Sequence, residues 1–446
     1  MIAKEHPIDR LSNFFRNWKI GYVIILGLSI RLIIAPFSAH PLDVYVWFET
    51  GENIIGGRGF YGNSLYSYMP IWALILTPFV SLYSVLAPIF HATPVSPPAV
   101  LMSLGYPSVP LVVDWLFALL IKIPIFICDV GICLLLYRFI ARLHGSERLG
   151  VMAGAAYFLS PFTLWVSAFW GMFDALPVLL TFLAFMLLVE EKYEFSGLVT
   201  GFAVAAKYFA LLIVPIALVT ILRRKPDKLK SYLLLLALPI VVVSLPFLIL
   251  EPYDFVKAVI SPAAGSTVGQ LNLWAIISFL TGGVLPWYFA VADSVFLIFL
   301  YAFIWKRCYS RMEPNSSTEF LTKSILLNLC IFYLFFRLLS VQYLLWAQPF
   351  LILAYSFYES GNKLHSAGLP AILFSAVRSG LLFLAPVLTI PWASFGPKIE
   401  FLASFNDSII QLLLNGLSVF LWSVVVVILL YDTKYLFEYV TNRRIL

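Results

Sequence analysis

The sequence predicts an all-α polytopic membrane protein, and three observations carry that prediction. Of 446 residues, 61% are hydrophobic and only 12% are charged, whereas a soluble domain carries about 25% charged residues. Mean hydropathy is +0.94, which also excludes intrinsic disorder, since disorder needs low hydrophobicity and high charge. Apolar runs recur from end to end with short charged breaks between them, and about 20 such residues make one crossing. No stretch is long enough for a separate soluble domain, so residues 1–446 read as one transmembrane domain. The net charge of +6 reads as a topology signal, with no nucleic-acid partner expected.

The N-terminal stretch MIAKEHPIDRLSNFFRNWK is polar and basic, and it runs into an apolar segment without a small-residue cleavage site. That pattern fits a retained first span that starts in the cytosol. The apolar runs then predict twelve spans: about 20–37, 111–137, 149–166, 173–189, 195–206, 208–222, 231–250, 285–305, 320–336, 342–358, 366–389 and 409–430. Only Lys207 divides 195–206 from 208–222, and each is short for a crossing. Residues 70–92, bracketed by Pro70, Pro88 and the run HATPVSPPAV, are expected to form an interfacial or re-entrant element outside. Counting them as a span would spoil the charge parity downstream. The basic loops ILRRKPDKLK, IWKRCYSR and YRFIARLHGSER then fall inside, as the positive-inside rule demands, and both termini are cytosolic. Two long loops face outward, 38–110 and 251–284. Cys128, Cys133, Cys308 and Cys330 show no metal-ligand spacing, so neither zinc nor a disulfide is expected.

Asp43, Glu49 and Glu52 follow the first span, among Tyr45, Trp47 and Phe48. A carboxylate partly desolvated by aromatic neighbours suits a general base. The plainer reading is a solvated loop acid, and the aromatics also suit an interfacial belt. On a helix Asp43 and Glu49 would face different sides. GGRGFYG reads as a flexible loop; its glycines follow no strand, which argues against nucleotide binding. Ionisable residues in or at the ends of spans are Arg31, Asp114, Lys122, Asp129, Lys207, Asp293, Arg337 and Arg378. Each costs ~2.5–3.5 kcal/mol at a span centre and is a functional hypothesis by default. Arg31 lies close enough to the outer end of its span to snorkel. Asp129 stands two turns after Lys122 on the same helical face, as a structural pair or a functional acid. Asp174 falls at an outer turn, and Lys207 and Arg337 also reach the outer face. Two fixed cations beside an acidic loop suit a lipid phosphate, although each could equally pair with an outer acid. No Walker loop, His-Glu-x-x-His or Gly-x-Ser-x-Gly occurs, and the five histidines are scattered, so ATP-driven transport and zinc proteolysis find no support.

Six blocks run in order over about residues 40–355: LDVYVWFETGENIIGGRGFY, SLYSYMPIWALILTPF, KIPIFICDVGICLLLYRF, LSPFTLWVSAFWGMFDALP, GFAVAAKYFALLIVPIAL and VQYLLWAQPFLIL. Together they resemble the GT-C class of membrane glycosyltransferases, most closely the GPI mannosyltransferase I family. The resemblance implies a GT-C-like bundle of about twelve transmembrane helices with a long first outer loop. It also implies inverting transfer of a sugar from a polyprenyl-phosphate donor to a lipid-linked or glycolipid acceptor on the outer face.

By the same resemblance Asp43 is the catalytic base, and Lys207 and Arg337 contact the donor phosphate. Asp129, Asp174 and the Gln342-Tyr343 pair are supporting residues, with Glu49 beside them on the first loop. The chain departs from the family at Pro41, which stands where the first acid of an Asp-x-Asp pair would be. That puts metal binding in doubt, and no cofactor is expected. A small membrane partner subunit is compatible with the resemblance. Rival readings are a flippase or secondary transporter, which leaves the acidic outer loop unexplained, and a non-catalytic subunit, which suits the lost acid. An oligosaccharyltransferase would carry a soluble C-terminal domain. Asn406-Asp-Ser408 is an outward glycosylation sequon.

Overall fold

Each predicted span that falls on described residues forms helix, but several are broken where the sequence reads as continuous. The computed structural model describes residues 19–59, 61–62, 65–97, 109–264, 287–314, 316–336, 340–357 and 408–441. The expected span 366–389, Arg378 and the sequon at Asn406 lie outside the described residues. So do Arg337 and the latter part of the second outer loop.

Helix α1 (Ile20–Ile34) ends in a 3-10 turn, Ala35–Phe37. The first outer loop then supplies α2 (Pro41–Ile55) and α3 (Ile71–Leu86), and it is cross-tied by an antiparallel bridge between Val95 and Val112. The expected interfacial element 70–92 is thus mainly an apolar helix, with Trp72, Ala73, Leu76, Val80 and Tyr83 buried. Next come α4 (Trp115–Leu120), α5 (Ile123–His144), α6 (Glu147–Phe158) and the short α7 (Pro161–Leu164), which continues as a π-helical turn over Trp165–Trp170. Helices α8 (Ala175–Val189), α9 (Tyr193–Ala206), α10 (Val214–Arg224) and α11 (Leu229–Leu250) follow. Then come α12 (Pro252–Ala264), α13 (Trp287–Arg311), α14 (Thr318–Phe335), α15 (Gln348–Ser356) and α16 (Ser408–Thr441).

Four described helical segments are long and apolar enough to cross a membrane: Ile20–Phe37, Trp115–His144, Pro226–Leu250 and Thr318–Phe335. The pair Glu147–Phe158 and Pro161–Trp170, bent by 41°, would make a fifth. The expected dozen is therefore not a dozen single helices of spanning length among the described residues. Ala175–Val189, for example, is apolar but shorter. At Lys207 the backbone turns extended (φ −160°), and a 3-10 turn over Tyr208–Ile213 intervenes before α10.

Helix ends follow local chemistry. Gly145, left-handed at φ 62°, closes α5, whose last turn carries Arg142 and His144. Ser146 then caps α6 by accepting the Leu149 N–H. Packing among the long helices relies on small residues at two crossings. Gly150 and Gly154 of α6 face α5, where an added Cβ would lie 2.5 Å from the Tyr137 carbonyl oxygen and 3.1 Å from that of Cys133. Gly197 and Gly201 of α9 face α11, with the Tyr232 and Leu236 oxygens at 2.5 and 2.3 Å from such a Cβ. Both pairs have Gly-x-x-x-Gly spacing, which lets backbones approach where lipid supplies no hydrophobic drive to associate. Gly201→Val is expected to cost about 1–3 kcal/mol, read as a lowered thermal midpoint of the detergent-solubilised protein.

Candidate active site

The chain reaches the site through a tightly held link after α1. Lys122, at the start of α5, donates from Nζ to the carbonyls of Ala35, at 2.9 Å, and Ser38. The Ser38 hydroxyl donates to the Ile34 and Ala168 carbonyls, at 3.0 and 3.1 Å. His40 N–H donates to the Trp170 carbonyl at 3.0 Å. Pro41 then begins α2 at the first helical position, where its fixed φ suits the helix and its missing N–H is not needed. Pro41, two residues before Asp43, thus starts the helix that carries it.

Asp43 lies in the first turn of α2, where the helix dipole favours negative charge. Trp170 Nε1 donates to its Oδ2 at 2.6 Å, and His40 Nδ1 sits 3.0 Å from the same oxygen. The two rings stack with centroids 5.0 Å apart. His40 Nδ1 also lies 3.3 Å from the Asp43 amide. The neutral ring accepts that N–H as a helix cap, whereas the protonated ring donates to Oδ2. Among the described residues nothing donates to Oδ1, and the side chain is 22% exposed. Burial pushes the Asp43 pKa up. The His40 charge, hydrogen bonds from His40 and Trp170, and the charge of Lys207 outweigh it and hold the carboxyl below its ordinary value.

The second half of the site is Lys207 and Asp174. Lys207 stands in the extended break after α9, and Asp174 immediately precedes α8, with no side-chain bond to the helix start. Lys207 Nζ lies 3.0 and 3.1 Å from the two Asp174 oxygens, and Trp346 Nε1 donates to Oδ1 at 2.5 Å. Four rings surround the ammonium, those of Tyr343, Tyr68, Phe173 and Trp346, at 4.7, 5.1, 5.2 and 5.6 Å. Cation–π attraction is strongest when the charge is desolvated, and Lys207 is 3% exposed. The segment Trp170–Asp174 joins the two halves, because its first residue holds Asp43 and its last holds Lys207.

The structure brings Asp43, Asp174, Lys207 and Tyr343 together. Glu49 lies farther along α2 and accepts the Tyr45 hydroxyl at 2.7 Å. Gln342 is buried, and its Oε1 has no hydrogen-bond partner among the described residues. Arg337 falls outside them. Asp129 is paired with Arg31, not with Lys122: its Oδ2 lies 3.0 Å from both Nε and Nη2, while Tyr157 donates to Oδ1 at 3.0 Å. Arg31 does not snorkel. It is fully buried, donates to the Phe158 carbonyl at 2.9 Å and lies 3.9 Å from that residue's ring centre. Helical spacing within one span could not reveal a partner 98 residues away.

Sequence reasoning missed His40, Trp170, Tyr68 and Trp346. Their signal was present: His40 stands at a helix start before Pro41, and the three rings lie inside the quoted blocks. Among the described residues no group of three His, Cys, Asp or Glu side chains is placed to hold a metal ion.

Among solved structures the chain is similar to ArnT from Cupriavidus metallidurans bound to undecaprenyl phosphate, with a TM-score of 0.50. The match covers 95% of this chain and 76% of that one, at 14% identity. The chain has a GT-C fold. No protein-family profile and no curated protein matches it in sequence, and nothing in these comparisons points to GPI mannosyltransferase I in particular. The contacts of Asp129 are those of a buried ion pair that ties helices together. Asp129→Asn is expected to destabilise by about 3–5 kcal/mol, because Arg31 is left buried without its counter-charge. Pairing it with Arg31→Met should recover most of that loss in the same thermal unfolding measurement.

Proposed function

We propose that this chain is a membrane glycosyltransferase that moves a hexosyl group from a polyprenyl-phosphate donor to a lipid-linked or glycolipid acceptor. The family resemblance makes mannose the favoured sugar. The site would face outward, with both termini cytosolic and residues 1–446 acting as one domain. The observation that carries the reading is Asp43: the Trp170 and His40 rings both lie against Oδ2, nothing among the described residues donates to Oδ1, and a buried lysine lies close by.

In this reading the acceptor hydroxyl gives its proton to Asp43 Oδ1 as its oxygen bonds to the anomeric carbon. The bond from that carbon to the phosphate oxygen breaks, the pair stays on the phosphate, and the configuration inverts. Lys207 faces the departing charge, fixed in place by Asp174 and the rings before the reaction begins, which is how preorganised donors stabilise a transition state. An ammonium has three N–H donors, and the two Asp174 contacts leave one for phosphate. Arg337 joins it on the resemblance alone. A protein of the same fold bound to undecaprenyl phosphate supports a lipid phosphate as the ligand class.

The test is transfer from labelled polyprenyl-phosphate mannose to a crude lipid acceptor by the purified protein. Asp43→Ala should lower kcat by on the order of a hundredfold or more; transfer at the wild-type rate would sink the base assignment. No transfer with any polyprenyl-phosphate sugar would favour a transporter. Trp170→Phe removes one donor that holds the Asp43 pKa down, so the acid limb of kcat/KM should move to higher pH. In the wild type Asp43 imposes no such limb above the ordinary aspartate value of about 3.9.

A further inference from the structure

The two outer segments meet over the glycines of GGRGFYG. Glu251, at the end of α11, accepts the Tyr61 and Gly62 backbone N–H groups on Oε2, at 3.0 and 3.3 Å. Gly59 makes room for it, since a Cβ there would lie 2.7 Å from the carboxyl group. Gly62 does the same for Asp254 of α12, whose Oδ2 would be 2.8 Å from a Cβ. The Tyr61 ring stands edge-on to Phe247 of α11 and Phe255 of α12, at 5.6 and 5.0 Å, so both helices grip it. Its hydroxyl donates to the Tyr68 carbonyl at 2.9 Å. The Tyr68 ring is one of the four around Lys207, at 5.1 Å.

We propose that Glu251 is a positioning residue for the Asp43–Lys207 site, acting through the Tyr61 and Gly62 backbone, the Tyr61 hydroxyl and the Tyr68 ring. A glycine-rich segment loses more conformational freedom on ordering than any other, so it needs a strong anchor. A carboxylate that accepts two N–H groups is such an anchor, because charge-assisted hydrogen bonds are roughly twice as strong as neutral ones. The glycines are there to let the carboxylates in. The second outer segment thereby sets where Tyr68 stands against Lys207. The kinetic part of the test rests on the glycosyltransferase reading; the structural part does not.

Hydrogen exchange on the intact protein in lipid nanodiscs reads the relay without substrate. Glu251→Ala should speed exchange at Tyr61 and Gly62, at Tyr66–Met69 and, through Tyr68, around Lys207. Faster exchange confined to Tyr61 and Gly62 would overturn the relay. With a polyprenyl-phosphate sugar donor, Glu251→Ala and Tyr61→Phe should each lower kcat by on the order of ten- to a hundredfold. Because they break one chain of contacts, the double variant should fall no further than the worse single one. Glu251→Gln keeps an oxygen for the two amides and should stay near the wild-type rate. Losses that multiply, or a wild-type kcat in Glu251→Ala, would also overturn the proposal. Gly59→Ala puts a methyl group against the carboxylate and should match Glu251→Ala, so the test stands even where that variant folds poorly. Asp43→Ala run alongside separates the two ideas, since the exchange result decides the relay whatever the base assignment does.

Discussion

A charge that leaves water for an apolar bundle must find its counter-charge and its hydrogen bonds inside the protein. The Lys207–Asp174 pair meets that demand with four rings, of which Trp346 also donates its indole N–H, and in doing so it joins the end of α9 to the start of α8. The Arg31–Asp129 pair meets it with Tyr157 and the Phe158 carbonyl, and it ties α1 to α5 and α6. Among the described residues Lys122 pairs with no carboxylate and uses the carbonyls at the exit of α1 instead. Desolvation thus ties the helices to one another and also holds the cation of the site in place. Asp43 differs, because among the described residues only one of its oxygens is committed, and a carboxylate with an open oxygen at a half-buried position suits the proton transfer proposed for it.

The site is built from interruptions. The link between α1 and α2 supplies His40, the π-helical turn supplies Trp170, the turn before α8 supplies Asp174 and the break after α9 supplies Lys207. Unbroken helix satisfies its own backbone and buries its side chains against neighbours. Where it breaks, backbone groups need other partners and side chains can point along the bundle toward one place. Irregular backbone of this kind is tolerated in a membrane protein where it is buried in protein or lines a cavity.

The helical, lipid-dwelling class was legible from composition alone, and the apolar runs located most of the helices, but not α2 and α12, which lie in stretches that read as outer loops. Asp43, Asp174 and Lys207 stood out because charge is scarce in this chain. The partners were not legible. Asp129 shares a helical face with Lys122 in the sequence, yet it pairs with Arg31, since periodicity describes one helix and not what packs on it. His40 and Trp170 were hidden differently: a histidine beside a proline and a tryptophan among tryptophans carry no charge signal, and only their convergence on one oxygen marks them. The Gly-x-x-x-Gly pairs at Gly150 and Gly197 were in plain sight, but the helices they face had first to be placed. The residues of GGRGFYG read as flexible because the carboxylates that fill their space come from nearly 200 residues later.

The π-helical turn over Trp165–Trp170 holds one residue more than an α-helical turn would. Each residue of an α-helix turns the chain by about 100°. A single codon lost from this stretch would leave a sound helix, and it would swing the indole of Trp170 away from Asp43. Substitutions here can be judged by size and polarity, but a deletion changes phase. For five of these six residues, the length of the turn matters to the place of Trp170 more directly than their side chains do.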